Sequence, residues 1–408
     1  MALTDEQIEV LADKYLVGLY QNMEKDVLQD IARRVRKTDR FTETAEIMAR
    51  NMHEQGFSTA QIYAEVMKIL RADPEYVQFV AENTKAYKAE VAQIIKETTA
   101  EAKKAGNKLV AEAGDMAYNN DLSMWELAGA DLSKPSGMSQ IINSFQKDLN
   151  GQLKNLTRTT GFKGTTLGTT GVMQAYQRSL DTALLEVATG SFSFDEACNR
   201  VVKEMAHSGL RSIDYASGRS YQLDTSARMC VRTSMNQMAG RITEANCKSS
   251  DVDLVIVSQH EGARPEHADV ENKVFSMSGK SDKYPDFSDP LPCDGGEGAG
   301  YGDAAGICGV NCRHTFYPFF EGISEIPEPL ETWEEKEVDG KTYDYYDATQ
   351  HQRSMEREIR ALKREEYVAP ADQKQEYDRK IKAKTQEYHR FSGEVGIRAK
   401  DNRLRVVA

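Results

Sequence analysis

The sequence predicts a predominantly helical α+β protein. Three observations lead there: capped helical segments follow one another through residues 1–155, apolar positions recur at three- and four-residue spacing, and the first strand signal comes only at Leu254. With 408 residues the chain is too long for one ordinary core. The pattern divides into an elongated helical N-terminal region (1–155), a connector and helical middle (156–250), a compact α+β domain rich in His and Cys (251–325) and a C-terminal α-hairpin (326–408).

The elements follow in chain order. Thr4 with Gln7 and Ser58 with Gln61 fit the capping box, in which each side chain satisfies an orphan N–H of the first helical turn. Behind these caps Ile8, Leu11, Tyr15, Leu19, Met23, Val27 and Ile31 form one apolar stripe, and Ile62, Val66, Ile69 and Leu70 another. The basic run Arg33, Arg34, Arg36, Lys37 then reads as a solvated helix end, where cations suit the macrodipole. Asp73 before Pro74 is an N-cap followed by the position where proline suits a helix. From Pro74 to about Met116 alanine, lysine and glutamate dominate, which predicts one long helix or a hairpin of two. Gly151 to Gly171, rich in glycine and threonine, reads as a loop or extended connector.

Helical patterning returns at Val172 to Thr189, after the Ser193/Glu196 capping box, and over Leu223 to Ala245. Leu254-Val255-Ile256-Val257 is a β-branched run bounded by polar residues, hence a strand. The sixty residues that follow hold most of the Gly and Pro punctuation and predict short strands and ordered loops. Helices resume from about Ala348 to Tyr367 and Ala371 to Phe391, with Pro370 between and Glu356 one turn before Arg360.

The formal charge of −12 repels nucleic-acid phosphate over most of the surface, so any contact with DNA is local. The opening residues Met1-Ala2-Leu3-Thr4-Asp5-Glu6 lack the basic and apolar regions of a signal peptide, and no run approaches the ~20 apolar residues of a membrane span. A protein kept in a cytosol, with no membrane partner and with its six cysteines reduced, is the expectation.

Chemistry concentrates in one block, Ser258 to Phe319. It contains His260, Gly262, Arg264, Pro265 and His267, then Cys293, and then Cys308-Gly309-Val310-Asn311-Cys312-Arg313-His314. Thiolates and imidazoles together suit zinc, with Cys293, Cys308, Cys312 and His314 as one ligand set and His260 or His267 as alternative fourth donors. The other reading needs no cofactor: the cysteines are small buried hydrophobes, and the histidines and arginines tie loops together. His260-Glu261 opens like a metalloprotease helix, but Arg264 stands where the second histidine is required and Pro265 forbids a regular helix. The glycines at 295, 296, 298, 300 and 302 lack a following Gly-Lys-Ser/Thr, and no Gly-x-Ser-x-Gly elbow occurs. What remains on the enzymatic side is a nuclease or transferase grip on phosphate by His260, Arg264, His267 and Arg313.

The block with His260, Gly262-Ala263-Arg264-Pro265, His267 and Cys308-Gly309-Val310-Asn311-Cys312-Arg313-His314 resembles the phage minor capsid protein 2 family, related to the Mu F-type head-morphogenesis proteins. So do Asp214-Tyr215-Ala216-Ser217-Gly218-Arg219, the helix through Arg232-Thr233-Ser234-Met235-Asn236-Gln237, and Tyr346-Asp347-Ala348-Thr349-Gln350 with its hairpin. The resemblance implies a non-enzymatic virion protein inside the head near the portal vertex, made in the bacterial host cytoplasm. Portal, major capsid or scaffold proteins are its implied partners, with assembly, genome packaging or delivery as its task. It also implies His260, Gly262, Arg264, Pro265, His267, Asn311 and Arg313 as a structural motif, with no catalytic residue assigned.

Overall fold

The helix starts are set by short-range hydrogen bonds. In the computed structural model, which describes residues 3–214, 218–288, 292–293, 296–297, 300–303, 305–310, 312–331 and 333–406, Thr4, Ser58 and Ser193 each accept from the backbone N–H three residues on. Gln7, Gln61 and Glu196 accept from the cap backbone in return. Asp73 Oδ1 accepts from the N–H groups of Glu75 at 2.9 Å and Tyr76 at 3.2 Å. In chain order the helices are α1 (Asp5–Ala12), α2 (Gly18–Arg36), α3 (Glu43–Glu54), α4 (Thr59–Ala72), α5 (Pro74–Leu127), α6 (Met138–Arg158), α7 (Val172–Val187), α8 (Phe194–Ser208), α9 (Leu223–Ser249), the short α10 (Pro265–Ala268), α11 (Tyr345–Val368) and α12 (Lys374–Val395). The strands are short: β1 (Thr160–Gly164), β2 (Gly168–Gly171), β3 (Arg211–Ile213), β4 (Ser220–Gln222), β5 (Leu254–Val257), β6 (Val274–Ser276), β7 (Pro292–Cys293), β8 (Gly296–Glu297), β9 (Phe316–Pro318), β10 (Lys336–Val338) and β11 (Lys341–Tyr343). The fold is therefore the predominantly helical α+β class.

Two units are each assembled from three stretches. One, here the motif unit, comprises Met1–Val17, Glu101–Lys154 and Ala227–Gln350; the other, the helical unit, comprises Gly18–Ala100, Asn155–Ser226 and His351–Ala408. In the motif unit β5 is the central strand of a three-stranded antiparallel sheet in the order β6-β5-β9, with Val255 opposite Phe275 and Val257 opposite Phe316. Val255, Val257, Phe275, Phe287 and Phe316 pack with Trp125 of α5 into one apolar core. The opposite face is covered too, with Ile256, Val274 and Phe319 buried together, and β-branched residues suit a strand buried on both faces, which is why it was visible in sequence.

In the helical unit a four-stranded antiparallel sheet runs β2-β1-β3-β4. Its tightest polar knot lies at the end of α8. Arg364 Nε donates to the Ala206 carbonyl at 2.8 Å and Nη2 to that of His207 at 3.1 Å, while Glu24 Oε1 accepts from the Leu210 N–H at 2.7 Å. A guanidinium here satisfies carbonyls that the helix terminus leaves free. Between them Gly209 has φ +65°, and a Cβ there would lie 2.5 Å from Glu24 Oε1, so glycine is required on both counts.

Three expectations change. Gly151 to Gly171 divides: up to Arg158 it continues α6 and is neither loop nor connector, while the extended remainder is the hairpin of β1 and β2. Leu149, Leu153 and Leu156 are buried at helical spacing, and this stripe outweighs the cost of Gly151 inside the helix. The first apolar stripe is buried at Ile8, Leu11, Met23, Val27 and Ile31, but around a π-helical turn over Asp13–Val17 Leu16 and Tyr20 are buried while Tyr15 and Leu19 are half-buried. The basic run is not simply solvated, because Arg34 is buried with Nε on Asp30 Oδ2 at 2.7 Å and Nη2 3.3 Å from Glu90 Oε2.

Candidate functional site

Pairing of β5 with β9 continues past the strand ends and brings the two halves of the motif block together. Ser258 N–H donates to the Thr315 carbonyl at 2.9 Å, and Thr315 N–H donates to Ser258 Oγ at 3.0 Å. On the other side, Asn272 N–H donates to the Val257 carbonyl at 3.1 Å, which closes the β5–β6 connection. That connection turns at Gly262, where φ is +71°, enters α10 at Pro265 and carries His267 and Glu271. Cys312 and His314 lie on the approach to β9. Within the unit, α9 supports this approach through Asn236 Nδ2, which donates to the Cys312 carbonyl at 2.6 Å.

Two overlapping groups of potential ligand atoms result, each within 4.8 Å: His267, Cys312 and His314, and His260, Glu271 and His314. Cys312 Sγ is 3.5 Å from His267 Nδ1 and 3.6 Å from His314 Nδ1. The outer nitrogens are held as well, with His267 Nε2 on the Ala305 carbonyl at 2.9 Å and His314 Nε2 on Glu271 Oε1 at 2.8 Å. Glu271 Oε1 also accepts from the His260 N–H at 2.8 Å. The His260 ring lies against His314, centroids 4.3 Å apart, and its Nδ1 sits 3.0 Å from the Glu261 carbonyl.

These surroundings divide the titrating groups. Burial alone would push the Cys312 thiol up, but its contacts with His267 and His314 overcome burial and bring it down to about 6. Burial also opposes charge on His314, yet the bonds to Cys312 and Glu271 raise it. His260 goes the other way, down to about 4, through burial and then through repulsion from His314. Cys308 is driven well up by burial, and its thiol donates to the His314 carbonyl at 3.6 Å. Cys308 also has φ +58°, an uncommon backbone state for a residue with a Cβ. The arrangement can hold a thiolate against an imidazolium, or present one sulfur and two nitrogens to a soft divalent metal.

The remaining sequence candidates fall into place around this knot. Arg264 is exposed and donates through Nη2 to the Val310 carbonyl at 3.0 Å. Arg313 Nε lies 3.8 Å from Asp5 Oδ2, beside Arg232 Nε at 2.6 Å from Asp5 Oδ1. Among the described residues, Cys308 is in neither ligand group. Asn311 lies outside the described residues, as do the side chains of Cys293 and Pro265. Sequence reading missed Glu271 and, though it quoted Asn236 in a motif helix, missed its contact with Cys312. Glu271 is one acid among Glu266, Asp269 and Glu271, and no spacing distinguishes it. Asn236 acts across 76 positions of sequence. The five described cysteines, Cys198, Cys230, Cys247, Cys308 and Cys312, are free thiols.

Concave surface lies elsewhere in the unit as well. A cleft of about 600 Å³ between α6 and α9 is lined by Gln140, Phe145, Asp148, Arg241, Glu244 and Lys248, with no His or Cys on its walls.

Comparison with known proteins gives two matches. The family model described as phage minor capsid protein 2 matches residues 3–391. A protein named "Structural protein" of Lactococcus phage LL-H is 27% identical over 167 residues, covering 39% of this chain and 42% of that protein. The chain thus spans less than half the length of that relative. No solved structure matches. With its sequence matched from residue 3 to residue 391, the chain belongs to the phage minor capsid protein 2 family.

Proposed function

We propose that this chain is a minor structural component of a tailed-phage head, docking on the portal, inner capsid or scaffold near the portal vertex and assisting assembly, genome packaging or delivery. The family match supports a phage structural role. Within the fold, the observation that carries the reading is the inward turn of the His/Cys block: His267, Cys312 and His314 are 1%, 2% and 1% exposed. A general acid or phosphate grip must reach a substrate atom at about 3 Å. These rings instead reach Ala305, Glu271 and Cys312. The block acts as a fastener that gives the motif unit a rigid attachment surface. The charge of −12 makes any contact with packaged DNA local. The protein would stand in the host cytoplasm during assembly and in the virion afterwards. No described helix is long and apolar enough to cross a membrane.

Protein identification in purified virions and assembling heads, combined with cross-linking mass spectrometry, tests this. Cross-links to portal or inner capsid protein are expected, and absence of the chain from both particles overturns the proposal. Removing residues 250–325 is expected to abolish incorporation; normal incorporation would move docking to the helices. A nucleic-acid- or nucleotide-directed activity that His260→Ala or Arg264→Ala removes from a folded protein would replace this reading with an enzymatic one.

A further inference from the structure

We propose that His267, Cys312 and His314 bind a zinc ion through Nδ1, Sγ and Nδ1, with a water molecule as the fourth ligand of the tetrahedron. The spacing is the first reason. Tetrahedral zinc with bonds of about 2.3 Å to sulfur and 2.0 Å to nitrogen separates those ligand atoms by about 3.5 Å. Cys312 Sγ stands 3.5 Å from one imidazole nitrogen and 3.6 Å from the other.

Tautomers give the second reason. A backbone carbonyl can only accept, so His267 Nε2, 2.9 Å from the Ala305 oxygen, carries the proton. Its Nδ1 is then the lone-pair nitrogen of the neutral ring, and it faces sulfur. His314 is arranged the same way by Glu271, whose carboxylate accepts from Nε2 at 2.8 Å. An imidazole that gives its outer N–H to a carboxylate or a carbonyl while its inner nitrogen converges on other donors is held as metal-binding histidines usually are. A neutral thiol has one proton and can serve only one of two neutral imidazole nitrogens; a metal ion bound by the thiolate serves both.

Selectivity is the third reason. One thiolate and two imidazoles favour zinc over magnesium or calcium, which take oxygen ligands. The three side chains come from two stretches, α10 and the approach to β9, so a bound ion would cross-link the connections on either side of β5. Such a clip suits a domain whose sheet strands are only three or four residues long.

The test uses the full chain, expressed with zinc in the medium and purified without chelator. Total metal analysis is expected to give about one zinc per chain. Cys312→Ser and His267→Gln are expected to lose it, and Cys230→Ser to keep it. Because the first two variants alter buried side chains, the wild-type chain is also stripped and reloaded with cobalt(II). Tetrahedral d–d bands and a thiolate-to-cobalt charge-transfer band are expected. Folded wild-type protein that carries well under one equivalent of zinc and shows no charge-transfer band overturns the site, as does unchanged zinc content in folded Cys312→Ser. Neither outcome depends on whether the chain enters virions.

Discussion

Asn236 donates its side-chain amide to the main-chain carbonyl of Cys312 at 2.6 Å, so α9 holds the cysteine approach from inside the motif unit. Asn236 is 1% exposed, and water cannot readily replace it. Asn236→Ala leaves a buried carbonyl without this donor and is expected to destabilise the motif unit by about 1–3 kcal/mol. Denaturant unfolding followed by a probe in this unit measures the loss. A change below about 0.5 kcal/mol, the size typical of surface substitutions, would show that the bond is dispensable.

Asp121 gives the motif unit a pH dependence. Its buried carboxylate accepts from Thr243 Oγ1 at 3.1 and 2.9 Å and from Asn246 Nδ2 at 2.7 Å. Burial pushes its pKa up from 3.8 to about 6, with those hydrogen bonds pulling the other way. A raised carboxyl pKa means the folded state binds the proton more tightly than the unfolded state does. Stability is therefore expected to fall as pH rises from about 4 to about 6 and then to level off, by about 3 kcal/mol in all. Asp121→Asn should remove that slope. Urea midpoints from pH 4 to 7 for both proteins decide it, and parallel curves would refute the assignment.

Gly262 turns the β5–β6 connection at φ +71°, and a Cβ added there would meet Tyr345 Cε1 at 2.7 Å. Gly262→Ala is expected to cost about 1–2 kcal/mol from the left-handed backbone alone, and more from the contact. Combining it with Tyr345→Ala separates the two costs, since only the contact part is relieved. Full recovery in the double variant would mean that the backbone conformation carries no penalty.

In the helical unit, Arg364 is 2% exposed and serves two carbonyls at the end of α8 beside Glu24. Arg364→Met is expected to cost about 3–5 kcal/mol, because Glu24 stays buried without its nearer cation and two carbonyls lose their donor. Arg364→Lys should recover little, as one ammonium cannot span the positions that the planar fork reaches. Thermal unfolding of the two variants reads this out; a lysine variant as stable as wild type would show that charge alone suffices.

What the sequence by itself determined is local. The capping boxes at Thr4, Ser58 and Ser193 and the Asp73-Pro74 start were legible because their partners lie within a few residues, and β5 because its own run of β-branched residues marks a strand whatever it pairs with. The predominantly helical α+β class and the family follow from such local signals and from motif residues in order. Only the tertiary structure decided which residues meet. Glu271 was one acid among several until the sheet set it against His314, 43 positions away. Arg34 read as solvated although Asp30 lies one turn before it, because its burial comes from α5, through the Asn83 carbonyl and Glu90, and the stripe failed only at Tyr15 and Leu19, where a π turn buries Leu16 and Tyr20 instead. The His/Cys block announced its residue types in sequence, but the choice of His267, Cys312 and His314 as the converging set depends on antiparallel pairing across β5. Pairing register is a long-range property, fixed by burial of the sheet face rather than by any neighbouring residue.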